Sequence, residues 1–197
     1  FSGTRMRGHD SWLTVGEKFG KEPNVFEIPA RYQFGSEYAR ALMRARHKLR
    51  SLDKKLQPYG RLLGGLIYWL AHPAERFQIW RGRENFIFPG SHQILDLISE
   101  RADLIHAHNL HGYYFDLRFL IKLSHRVPLL LTLHDEWVYT GHCASTLGCR
   151  RWELGCGSCP DLKIYPEINR DSTAYNWKRK RDIYQQSRLY VTTPSHW

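Results

Sequence analysis

Three short apolar stretches limit what this chain can fold into: ADLIHAH (102–108), PLLLTLHD (128–135) and RLYVTTP (188–194). HGYYFDLRFLIKLSH (111–125) separates the first two, and STAYNWKRKRDIYQQS (172–187) precedes the third. Both intervening stretches carry helical patterning. Strand–helix–strand at this spacing predicts right-handed βαβ units and a parallel sheet. LLLTL is nearly continuous in apolar residues, as expected of a strand covered on both faces. The fold class expected is α/β.

The first half is less regular. DSWLTVG (10–16) and NVFEIP (24–29) read as short strands, the second stopped by Pro29. In 36–56, Leu42, Ala45, Leu49, Leu52 and Leu56 recur at spacings of three and four, which predicts an amphipathic helix. Its other face carries Arg40, Arg44, Arg50, Lys54 and Lys55, and Pro58 and Gly60 are expected to end it. GRLLGGLIYWLAHPAERF (60–77) reads as helical. SHQILDLISE (91–100) reads as a helix with Ser91 as its N-cap.

No apolar run reaches the length of a membrane-spanning helix; Leu62 to Ala71, the most apolar piece, is about half that length. The chain opens FSGTRMRGHD, with neither an initiator Met nor a leader pattern, and stops at VTTPSHW just past a strand. Both ends are expected to be cuts within a larger protein. The four cysteines, without a secretory context, point to a reducing, cytoplasmic compartment. A net charge of +10 favours anionic partners such as phosphates, acidic lipids or nucleic acid.

Open parallel sheets bind ligands beyond the carboxyl ends of their strands. Two strand ends here are unusually polar: His106-Ala107-His108-Asn109-Leu110-His111-Gly112 and Thr132-Leu133-His134-Asp135. Alternation puts His106 and His108 on one face, and Thr132 and His134 opposite Leu131 and Leu133. If the two strands are neighbours, His108, Asn109, His111, His134 and Asp135 converge at one rim. His106, earliest in its strand, is the member expected to be structural. Asp135 can orient His134 only if the strand ends there, because adjacent strand residues point to opposite faces.

The cysteines Cys143, Cys149, Cys156 and Cys159 are spaced C-x5-C-x6-C-x2-C within 140–165. Four thiolates with one Cys-x-x-Cys knuckle suit a closed, structural zinc site with no open position for a substrate. Two disulfides, or inert thiols, fit the same spacing. His142 is an alternative ligand, opposed by its adjacency to Cys143.

The segments HAHNLHGYYFDL, PLLLTLHDEWVYTGHCA, CRRWELGCGSCPDLKIYP, NWKRKRDIY and LYVTTPSHW, in this order and spacing, resemble the N-terminal half of family 4 glycosyltransferases. The likeness is to the bacterial branch that builds exopolysaccharide and colanic-acid-type polymers. GHDSWLTVGEKFGKEPNVFEIP resembles an earlier segment of that family, and the likeness is loose between Tyr32 and Pro89. The resemblance implies a GT-B enzyme of two Rossmann-like domains. This chain, 1–197, would be the acceptor-side domain without its first strand, with 140–165 as a cysteine-rich insertion and the donor-binding domain absent. It implies retaining transfer from a nucleotide-sugar donor to a glycan or lipid-linked acceptor, with no metal or cofactor required for catalysis. His134 matches the family histidine that faces the donor sugar. Asn109, His111 and Gly112 match the turn assigned to the acceptor side, and Asp135 and Trp137 are expected to shape the same wall. Such a piece alone is expected to show no turnover. The basic helix and the apolar piece after it could rest on an anionic membrane at the inner face of the cytoplasmic membrane.

Two other readings compete. A zinc-stabilised nucleic-acid-binding module would suit the charge and the aromatics among basic residues near Tyr175, Trp177 and Lys178 to Arg181. The polar cluster argues against it and for no nucleic-acid partner, since it is rich in His and Asn rather than Arg and Lys. A metal-dependent hydrolase using His106, His108 and His134 would need further carboxylates converging there.

Overall fold

The computed structural model describes residues 2–50 and 57–194. Its architecture is α/β, with parallel strands and several helices in a Rossmann-like arrangement. Three strands form one sheet in the order β3 (Ile105–His108), β4 (Leu129–Thr132) and β5 (Leu189–Thr192). All pair in parallel, with Ile105 opposite Leu129 and Leu129 opposite Leu189. β4 lies in the middle, which explains its apolar run: Leu129 and Leu131 are buried on opposite sides of the pleat from Leu130 and Thr132. The two short strands β1 (Leu13–Val15) and β2 (Val25–Glu27) pair in parallel with each other as a separate sheet.

Against the main sheet pack α5 (Phe119–Arg126) and α6 (Thr173–Gln186). Leu117, Leu120, Leu123, Leu129, Leu131, Trp137 and Ile183 form its core. Each leucine there contributes roughly 1.5–3 kcal/mol through removal of its side chain from water. This core fixes the ends of β3 and β4, where the polar residues stand.

Two expected helices differ from the pattern. The 111–125 helix is confined to α5, because Asp116 turns back to accept hydrogen bonds from its neighbour Arg118, both backbone N–H and guanidinium. The expected 91–100 helix is a stretch of tighter 3-10 turns over Pro89–Asp96. Ser91 does not cap it; the hydroxyl is fully buried and accepts from the N–H of Asp116 at 2.7 Å. A local propensity thus yields to a long-range hydrogen bond.

The basic helix, α2, spans Glu37–Arg50. The rest of the predicted helix, with Leu52, Lys54, Lys55 and Leu56, lies outside the described residues, as do the last three residues of the chain. Pro58 and Gly60, expected to end that helix, fall in the first turn of α3 (Gln57–Ala71), where proline's missing N–H costs nothing. α4 (Pro73–Trp80) follows, opened by another proline. A short α1 (Ser2–Met6) begins the described chain. Among the described residues, no helix is long and apolar enough to cross a membrane.

The 81–88 segment is tied across to α6. Asn176 accepts from the N–H of Glu84 and donates to the carbonyl of Gly82. Gly82 has φ +74°, and a Cβ there would strike the carbonyl oxygen of Arg170. Only glycine meets both demands.

Candidate functional site

β3 and β4 are neighbours, so their polar ends meet. On one face of the sheet His106 Nε2 hydrogen-bonds Thr132 Oγ1 at 2.6 Å, and His108 Nδ1 hydrogen-bonds His134 Nε2 at 2.8 Å. These are the side chains that alternation assigns to one face. The rings of His106 and His108 sit 4.0 Å apart by centroid. Burial lowers the pKa of His108 below its ordinary value of 6.5, and charge on His106 or His134 lowers it further. His108 therefore favours its neutral form.

Asp135 does not orient His134. β4 ends at Thr132, but the Asp135 carboxylate finds its partners elsewhere. Its Oδ2 stands 2.6 Å from His111 Nε2, and its Oδ1 accepts from the backbone N–H of Trp137. The turn that carries His111 uses left-handed backbone at Asn109, Gly112 and Tyr113, and Tyr114 closes it by donating its hydroxyl to the Asn109 carbonyl at 2.9 Å. Burial pushes the Tyr114 phenol up to about 12, so it remains a donor.

His111, Gly112 and Trp137 line a cleft beside the rim, together with Glu84, Tyr113 and Tyr165. His134 and Asn109 stand exposed at the strand ends and do not line it. The sequence-predicted residues therefore fall into two groups: the imidazole pair His108–His134 on the sheet face, and His111, Gly112 and Trp137 on the cleft wall, with Asp135 bonded to His111. The Nδ1 of His111 is buried with no hydrogen-bond partner among the described residues.

Trp137 belongs to the wall from behind rather than offering an open ring. It is buried, its indole N–H donates to Glu84 Oε1 at 2.7 Å, and the Lys180 ammonium sits 3.7 Å from its ring centroid. Lys180 is 1% exposed and pairs with Glu84 at 2.9 Å while donating to the carbonyls of Trp137 and Thr140. Burial pushes the Glu84 carboxyl up and the Lys180 ammonium down, and their pairing opposes both. The sequence offers Lys180 only as part of the basic run 178–181, and nothing in it marks Glu84. They come from segments far apart in the chain, and no local pattern links them.

The cysteine segment folds directly beyond this wall. Glu136 anchors it, accepting from the backbone N–H and hydroxyl of Thr146 and from the Tyr139 hydroxyl. Burial raises the Glu136 pKa, but these hydrogen bonds prevail and hold it below the ordinary carboxylate range. All four cysteines are free thiols, partly buried around a second small cavity that His142 also lines. Among the described residues, no three His, Cys, Asp or Glu side chains are arranged around a common ion position. The hydrolase reading therefore finds no assembled metal cluster at His106, His108 and His134.

No family model matches the chain, and no solved structure matches it. A 90-residue stretch is 34% identical to the protein named "Putative colanic acid biosynthesis glycosyl transferase WcaC" of Escherichia coli (strain K12), covering 42% of this chain and 22% of that protein. The chain thus spans about a fifth of the length of the curated relative it matches, and the similarity establishes a relationship to glycosyltransferases.

Proposed function

We propose that this chain is the acceptor-side part of a retaining, family 4 glycosyltransferase of GT-B architecture acting in surface polysaccharide synthesis. The observation that carries the reading is the pair of polar strand ends, held together at the carboxyl edge of a parallel sheet and opening onto a cleft. That is where open α/β sheets place ligands. The similarity to the E. coli glycosyl transferase supplies the reaction class.

In this reading His134 faces the donor sugar. An imidazole there can donate a hydrogen bond to a sugar hydroxyl or to charge developing in the transition state. His108, hydrogen-bonded to it, orients the ring. The acceptor glycan occupies the cleft. His111, held by Asp135, and the Gly112 backbone meet it from one side, and the Tyr165 loop from the other. The nucleotide-sugar donor binds mainly to a second domain, the chemistry needs no metal or cofactor, and the 197 residues alone are expected to show no turnover.

The acceptor is lipid-linked, and α3 brings the site to an anionic membrane surface on the cytoplasmic side. Leu62, Leu63, Leu66, Trp69 and Leu70 recur at helical spacing along one stripe of α3, and all are 46–74% exposed. A stripe of this size is unusual on a surface that meets only water. The neighbouring α2 contributes the exposed cations Arg40 and Arg44.

The direct test is sugar transfer by the full-length protein, with a panel of nucleotide-sugar donors and polyprenyl-linked acceptors. Transfer that needs His134 supports the reading. Salt-sensitive binding of single-stranded nucleic acid, with no transfer from any donor, would overturn it.

A further inference from the structure

We propose that His142, together with the thiolates of Cys149, Cys156 and Cys159, binds one zinc ion that fastens the 140–165 segment to α6. This ligand set differs from the four-cysteine set that spacing alone suggests. It is independent of the transferase reading.

The distinguishing observation concerns His142, which is 1% exposed although its ring is polar. Its Nδ1 lies 3.0 Å from the carbonyl oxygen of Pro166, a group that can only accept. Nδ1 therefore carries the proton, and Nε2 presents a lone pair. That lone pair faces Cys159 Sγ at 3.5 Å. Around a tetrahedral zinc, with bonds of roughly 2.3 Å to sulfur and 2.0–2.1 Å to nitrogen, neighbouring ligand atoms stand about 3.6 Å apart. His142 and Cys159 are thus already spaced as two ligands of one ion. A histidine ligand fixed by donating its other N–H to a backbone carbonyl is the usual outer-shell arrangement of such sites.

The remaining ligands line the same cavity. Cys156 and Cys159 bracket a tight knuckle in which Cys156, Gly157 and Ser158 all have left-handed backbone, at φ 58°, 95° and 47°. The knuckle is pinned from outside: the Gly157 N–H donates to Thr173 Oγ1 and the Cys159 N–H to Asp171 Oδ2, both at the start of α6. Cys149 closes the cavity from the other side, its N–H bonded to the Thr146 carbonyl. The thiols share the cavity without yet converging on a single point, and rotation about their Cα–Cβ bonds is the motion that would gather them. Each gives its proton to solvent on binding.

Cys143 is left out because it adjoins His142, whose Nε2 already faces Cys159, and two consecutive side chains are poorly placed to grip one ion together. With three thiolates and one imidazole the site is closed to substrate and purely structural, which suits a segment with little apolar content of its own.

The test begins with metal analysis of the chain purified under reducing conditions without chelator. One zinc per chain is expected. Cys143→Ser keeps it, whereas His142→Asn weakens zinc binding by more than the roughly 10–100-fold that losing an outer hydrogen-bond partner costs. Because His142→Asn removes a buried ring and could unfold the segment, cobalt exchange in the unaltered protein gives an independent count. The thiolate-to-cobalt charge-transfer intensity should correspond to three thiolates per ion. No zinc bound even after its addition, a four-thiolate intensity, or loss of zinc in Cys143→Ser with retention in His142→Asn would each overturn the assignment.

Discussion

His111 Nε2 stands 2.6 Å from Asp135 Oδ2, while His134, the residue next to Asp135, turns the other way to meet His108. Two adjacent residues thus serve two different groups. Alternation, which points adjacent residues to opposite faces, accounts for the division: the Leu133 N–H still bonds to the Thr192 carbonyl just beyond the end of β4 at Thr132.

Under the proposed transferase function, substitutions on the two sides should separate kinetically. There His134→Ala would remove a donor to developing charge, and kcat should fall by on the order of 10²–10³-fold. Asp135→Asn loosens His111 and the Trp137 turn, so its effect should appear mainly as a raised KM for acceptor. Steady-state kinetics with the acceptor varied would check this. A large kcat loss in Asp135→Asn with an unchanged KM would contradict the division.

The depressed pKa of His108 predicts a direction for stability against pH. Its folded value lies below its ordinary 6.5, so the unfolded chain binds more protons in that window. The stabilising effect of a neutral His108 is complete above about pH 6.5 and is lost as pH falls below it. Urea unfolding at pH 7.5 and pH 5.5 should show a smaller pH difference in His108→Gln than in the unaltered chain. Equal differences would remove His108 as the source.

Much of the site's framework was legible in the sequence because it rests on local patterns. The apolar run at Leu129 to Leu131 marked the central strand, and the alternation of His106 and His108 gave the correct face. What was not legible depends on pairs distant in sequence. Ser91 reads as a cap until Asp116 is seen donating to it. No local pattern in the sequence links Glu84 to Lys180, which the fold buries together against Trp137. His142 stands next to Cys143 in sequence, which argues against a shared ion, and only the Pro166 carbonyl shows which of its nitrogens faces the Cys159 thiol.

The Glu84–Lys180 pair predicts a non-additive stability cycle. Removing one partner leaves an uncompensated buried charge, so Lys180→Met should cost about 3–5 kcal/mol. Replacing both, as Glu84→Gln with Lys180→Met, should recover a substantial part of that loss, since no lone charge remains. Chemical denaturation of the single and double variants measures the coupling. Strict additivity would mean that the 2.9 Å contact contributes nothing specific.

The apolar stripe of α3 makes a last prediction, this one about lipid. If it lies on a membrane, binding needs both the buried apolar area and the basic charge of α2. Flotation of the full-length protein with vesicles containing anionic phospholipid should recover it, and neutral vesicles should recover less. Leu66→Glu with Trp69→Glu places two carboxylates on the stripe and should abolish flotation while leaving the unfolding midpoint nearly unchanged, because both side chains are about half exposed. Arg40→Glu with Arg44→Glu should weaken flotation in a salt-dependent way, since exposed charges are screened within about 10 Å at 0.1 M salt. If the stripe is covered instead by another part of the full-length chain, the paired glutamates would destabilise that protein without any lipid present, and vesicles would recover neither form. That outcome would move the stripe from membrane surface to internal interface.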